Sequence, residues 1–160
     1  MCDADYDWVL DDLALGNIIT GSNLDNLRAI NIDAIVCALP TPPHPVKTYT
    51  DKGFSLFHLP IDDSPDVDIE KWFDDVVYFI MAHRLMNRKV LVHCHAGVSR
   101  SATLVCAFLM NLFRCDDVKA IYWVRDKRSC ININSGFLKQ LRHYAQTITR
   151  PQQLPPPPVR

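Results

Sequence analysis

Val90-Leu91-Val92-His93-Cys94-His95-Ala96-Gly97-Val98-Ser99-Arg100-Ser101 is the stretch from which the rest of the chain is read. Its apolar opening predicts a strand, and the apolar helical pattern that follows, Ala102 to Phe113, predicts a largely buried helix. Between them lies a short loop that starts with a thiol and ends with an arginine. A loop feeding a helix N-terminus gathers backbone N–H groups and the positive end of the helix dipole, a setting that favours an anion. The thiolate, not the thiol, is the nucleophile, and this setting favours that form of Cys94. The amides from His95, Ala96, Gly97, Val98 and Ser99 through Arg100 are placed to surround a phosphate dianion. Gly97 permits the positive φ or close backbone approach that such a nest needs. Arg100 offers a rigid fork matched to two phosphate oxygens. Ser101 is placed to donate a hydrogen bond to the Cys94 sulfur and help it leave when a phosphocysteine is hydrolysed. His93 reads as a support that orients the loop and His95 as a rim residue.

A thiol alone does not complete such chemistry, because the departing alkoxide or phenolate needs a proton. The acidic turn after an apolar run, Ser55 to Ile61, holds Asp62 and Asp63, followed by Ser64-Pro65, which shapes a loop. A positioned acid contributes ~10²–10⁴-fold to the rate. The same carboxylate then serves as base toward water, and the scheme needs no metal or other cofactor.

Outward from this centre, short strands are expected at Trp8–Leu10, Leu13–Gly16, Ile32–Ala38, Ser55–Ile61 and Lys89–Val92. The runs are nearly continuous rather than alternating, as in strands covered on both faces. Helices are expected after Gly21-Ser22-Asn23, from Asp68 through His83, from Ser101 to Phe113, after Asp116-Asp117 and from Asn134-Ser135-Gly136 onward. The Pro40–Pro45 stretch forms neither helix nor sheet interior and reads as loop. Strands alternating with helices predict an α/β domain whose central sheet of about 4–5 strands is mostly parallel, flanked by helices. Trp72 and Trp123 read as core residues, while Arg125, Lys127 and Arg128 form a basic helix end, either solvated or attractive to acidic phosphoprotein segments.

The 160 residues make one domain, 1–149, followed by a Pro-rich tail, 150–160, read as disordered. Within it, Pro155-Pro156-Pro157-Pro158-Val159-Arg160 fits a polyproline II ligand for SH3-type domains, set against the simpler reading of an uninvolved end. A composition of 48% hydrophobic and 22% charged residues is that of a globular chain. A net charge of −1 leaves no basic footprint for nucleic acid, and no apolar run is long enough to span a bilayer. There is no signal-peptide, myristoylation or prenylation pattern. The six cysteines show no paired spacing, which predicts reduced thiols and an intracellular chain, cytoplasmic or nuclear. Whether Cys130 or Cys106 pairs with an oxidised Cys94 is not readable from spacing.

His93-Cys94, five residues, then Arg100-Ser101 resembles the signature of the cysteine-based protein tyrosine phosphatases. With Ala96-Gly97-Val98-Ser99 between them, it is most similar to the dual-specificity members. The resemblance extends from about residue 6 to 146. Leu13-Ala14-Leu15-Gly16-Asn17 resembles that family's opening strand, and Leu59-Pro60-Ile61-Asp62-Asp63 its acid loop, which implies Asp63 as the acid. Arg128, Ile131, Asn134, Gly136, Phe137, Gln140 and Leu141 resemble its closing segment, in which Asn134 is implied to support the active-site loop. Ile133 stands where the family usually has proline. The resemblance implies a small, stand-alone (atypical) enzyme that hydrolyses phosphotyrosine and phosphoserine or phosphothreonine in proteins, kinases among them. The alternatives are a non-protein phosphate (an inositol phospholipid, an RNA 5′-phosphate or a glucan) and a phosphoprotein-binding module with little turnover. The absence of Lys from His95–Ser99 weighs against a lipid.

Overall fold

The computed structural model describes residues 2–149, so the SH3-ligand reading of the tail lies outside the described residues. The sheet is built from β1 (Tyr6–Leu10), β2 (Leu13–Gly16), β3 (Ile32–Ala38), β4 (Ser55–Leu59) and β5 (Lys89–His93). Their spatial order is β1-β2-β5-β3-β4, with an antiparallel β1/β2 hairpin and every other pairing parallel. This is the mostly parallel sheet expected. Among the described residues seven α-helices cover it: α1 (Ile18–Ser22), α2 (Leu24–Ala29), α3 (Val46–Asp51), α4 (Phe73–Leu85), α5 (Arg100–Phe113), α6 (Asp117–Lys127) and α7 (Ser135–Thr149).

Alternate residues of the central strands supply two cores, which is why their apolar runs are unbroken. Leu13, Leu15, Val36, Val90 and Val92 face the larger core, shared with α4, α5, α6 and α7. Ala14, Ile35, Cys37 and Leu91 face a smaller one, shared with Leu24, Leu27 and Tyr49. Helix α5 lies at the centre of the first layer and is buried from Arg100 to Met110. No helix among the described residues is long and apolar enough to cross a membrane.

Local chemistry sets the element ends, with some differences from expectation. Two short helices replace the one expected near Gly21, because Asn17 and Asn23 each cap a turn by accepting from Thr20 N and Asn26 N. Pro40–Pro45 is loop, as expected, but the helix α3 that follows it was not legible: it is six residues long and opens without a side-chain cap. A 3₁₀ turn at Glu70–Trp72 precedes α4, and β4 stops at Leu59, which leaves Ile61 in the loop. Asp116 caps α6, as expected.

The carboxyl ends of the parallel strands align. Gly16 lies beside His93, His93 beside Cys37, and Cys37 beside His58. The connections leaving β2, β3, β4 and β5 therefore emerge along one edge. In an open parallel sheet that edge is where ligands bind.

Candidate active site

Cys94 follows β5 directly and is 2% exposed. Its Sγ lies 3.1 Å from Ser101 Oγ and accepts from Gly97 N at 3.3 Å. Gly97 adopts φ +69°, as the loop requires, and sits on the backbone of Gly16, where a Cβ would come within 2.7 Å. The carbonyls of this loop are tied back to the scaffold. His95 O accepts from Ile18 N (2.9 Å), Gly97 O from Arg128 Nε (2.9 Å) and Val98 O from Asn132 N (2.8 Å). Ser99 O accepts from both the amide and the hydroxyl of Thr103. In a planar trans peptide the next N–H points opposite the carbonyl. The amides of Ala96, Val98, Ser99 and Arg100 are thereby turned away from the groups that hold those carbonyls.

Arg100 opens α5 and is 9% exposed. Its Nη1 donates to Ile61 O at 3.1 Å, while its buried Nε has no protein partner. His95 and Ala96 are exposed on the rim. His93 is fully buried and its Nδ1 lies 3.2 Å from Cys94 O, the supporting contact expected of it. Burial pushes the imidazole down to about 4, so the ring is neutral near pH 7.

Asp62 and Asp63 are both exposed, in the loop after β4. Asp63 alone of the two is held by the closing segment: Asn134 Nδ2 donates to its Oδ1 at 2.8 Å. The Asn134 backbone N–H donates to Ser99 Oγ at 3.1 Å, and its Oδ1 accepts from Phe137 N at 2.9 Å. One residue thus touches the acid loop, the phosphate loop and the start of α7. Its helix-capping and loop-supporting roles coexist.

Arg128 is neither of the two things expected of the basic helix end, a solvated cation or an exposed attractor of acidic segments. It is 2% exposed and donates to Gly97 O, to Ala4 O (3.0 Å) and to Asp7 Oδ2 (2.8 Å). The N-terminal segment brings Asp7 and Ala4 over it, and a buried guanidinium is retained only when so paired. Trp123 is not core either: it is 42% exposed, and its Nε1 donates to Val9 O. The cysteines depart from the fully reduced set as well. Cys2 and Cys130 form a disulfide across 128 residues, their Cα atoms 5.2 Å apart, because Ala4 docks on Arg128 nearby. The other thiols stay free, and burial pushes Cys37 up to about 12 and raises Cys106, which marks both as inert packing residues.

Comparison with known proteins agrees with this arrangement. The family model "Dual specificity phosphatase, catalytic domain" matches residues 13–147. Dual specificity protein phosphatase 1-B of Xenopus laevis is 32% identical over 143 residues, which cover 89% of this chain and 38% of that protein. The chain therefore spans well under half the length of this relative. Among solved structures, DUSP15 superposes with a TM-score of 0.80 at 30% identity, covering 90% of this chain and 92% of that one. The human tyrosine phosphatase-like serine/threonine/tyrosine-interacting protein does so with a TM-score of 0.77, also at 30% identity, covering 89% and 96%. With these matches along nearly its whole described length, the chain belongs to the dual-specificity phosphatase family of the cysteine-based protein tyrosine phosphatases.

Proposed function

We propose that this domain hydrolyses phosphotyrosine and phosphoserine or phosphothreonine in proteins, through a phosphocysteine on Cys94. The observation that carries this reading is the buried Arg100 Nε, a donor with no protein partner, at the end of a loop whose His95, Gly97, Val98 and Ser99 carbonyls are tied back. Buried donors are almost always paired, and a phosphate oxygen is the partner this geometry suits. The Cys94 thiolate attacks phosphorus, an S–P bond forms and the P–O bond to the leaving group breaks. Asp63 gives its proton to the departing oxygen. Water then attacks the phosphocysteine, Asp63 takes up the proton released, and Ser101 donates to the leaving sulfur.

The substrates fit the class of phosphoproteins, kinases among them, in an intracellular setting. Lysine is absent from His95–Ser99, which favours a protein over an inositol phospholipid. Binding without turnover is the weaker reading, because Cys94, Arg100 and Asp63 are all present. Cys94→Ser is expected to abolish hydrolysis of an aryl phosphate while retaining phosphopeptide binding. Asp63→Asn is expected to cut turnover by ~10²-fold or more, and Asp62→Asn far less. Steady-state assays check both, with chelator present to show that no metal is needed. Full activity of Cys94→Ser would end this mechanism.

A further inference from the structure

The acid loop is fastened to one face of α7 well beyond the Asn134 contact. Gly136 lies directly beneath the Pro65 carbonyl, so closely that a Cβ at 136 would overlap it. One turn on, Gln140 grips the loop at Val67 and the 3₁₀ turn that follows it at Glu70. Its Nε2 donates to Val67 O and its Oε1 accepts from Glu70 N, each at 2.9 Å. The next turn brings His143 Nδ1 to 2.6 Å from Glu70 Oε1. Residues 136, 140 and 143 follow helical spacing, so these contacts form a row along a single face. The ends of the loop are sunk in the core at Ile61 and Ile69, while Asp62, Asp63, Pro65, Asp66 and Asp68 between them are exposed. The loop's own backbone bonds join Val67 to Ser64 and Ile69 to Val67, so beyond its sunken ends its placement on the fold comes from what it is fastened to.

We propose that Gln140 is a positioning residue for the general acid. By holding Val67 and Glu70 it keeps the loop, and with it Asp63, set in the working position before substrate arrives. This rests on the phosphatase reading above, with Asp63 as the proton donor. Gln140 touches neither the thiol nor the phosphate loop, so its effect belongs wholly to the proton-transfer half of the reaction.

That separation supplies the test. A leaving group that is already a weak base needs no proton, whereas a strongly basic one does. The full chain and its Gln140→Ala variant are assayed by kcat/KM on aryl phosphates, from phenyl phosphate to 2,4-dinitrophenyl phosphate. Gln140→Ala is expected to lose about tenfold or more on phenyl phosphate and less than about twofold on the dinitrophenyl ester. Placed on Asp63→Asn, it is expected to add no further leaving-group dependence, since the group it positions is gone. A loss equal across the series, or no loss, overturns the proposal. Leu141→Ala is the control for a merely loosened helix, because Leu141 is fully buried next to Gln140 in the chain and its side chain has no polar group with which to hold the loop. If it reproduces the selective loss, the proposal is also overturned. A wild-type chain inert toward every aryl phosphate would instead remove the phosphatase reading itself.

Discussion

His93 is a polar ring placed where only its neutral form is tolerated. It is fully buried between β5 and the phosphate loop, with Gly21 packed against the ring so closely that a side chain there would collide with it. Its folded pKa, about 4, lies below the unfolded value of 6.5, so between these the unfolded chain binds the proton first. The stability it contributes is therefore present above pH 6.5 and is lost as pH falls toward 4, by on the order of 3 kcal/mol. Thermal unfolding of wild type and His93→Gln across that range is expected to show a steeper acid limb in the wild type. Burial shifts His83 in the same direction, but it remains in both proteins, so the difference between the two profiles isolates His93. At this scale most of the site was legible. Cys94, Gly97, Arg100 and Ser101 are contiguous, and strand, loop and helix must place them together. Asp63 over Asp62 was reached only through resemblance to the family, because two adjacent exposed carboxylates look alike until one meets Asn134.

Among the elements, the phosphate loop is shaped less by its own residues than by those that seize its carbonyls. Arg128, at the end of α6, holds Gly97 O while its other arm reaches Ala4 and Asp7. Arg128→Met is expected to leave the Gly97 carbonyl without a partner, costing about 1–3 kcal/mol from that group alone. The same variant should also weaken phosphate binding, because the peptide held at Gly97 O carries the Val98 amide. A lower Tm together with a higher KM for aryl phosphate checks this. Normal kinetics with only a lower Tm would confine Arg128 to scaffolding. Sequence reading placed this arginine at a basic helix end, either solvated or attractive to acidic segments, and resemblance placed it in the family's closing segment without a partner. Nothing in its spacing signals a partner 31 residues upstream in Gly97 or 124 upstream in Ala4.

Across the whole molecule, the chain is closed near its ends. The Cys2–Cys130 disulfide joins the N-terminal segment to the stretch between α6 and α7 that carries Asn132 and Asn134. Closing so long a loop restricts the unfolded chain, typically by about 2–4 kcal/mol. Reductant is expected to lower Tm by roughly 5–15 °C, and Cys130→Ser to show the low value with or without it. A wild-type Tm insensitive to reductant would contradict a stabilising bridge. The sequence by itself determined what is local: the strand, thiol loop and buried helix, the apolar runs that demand a sheet covered on both faces, and a nearby acidic turn. Those signals are written in contiguous residues and fixed periods, so they survive without a fold. Only the tertiary structure decided that Arg128 braces Gly97, that Asn134 just before α7 and Gln140 on it hold the acid loop, and that Cys2 pairs with Cys130. Each of these joins residues 31 to 128 positions apart, and such contacts leave no periodic trace in the chain.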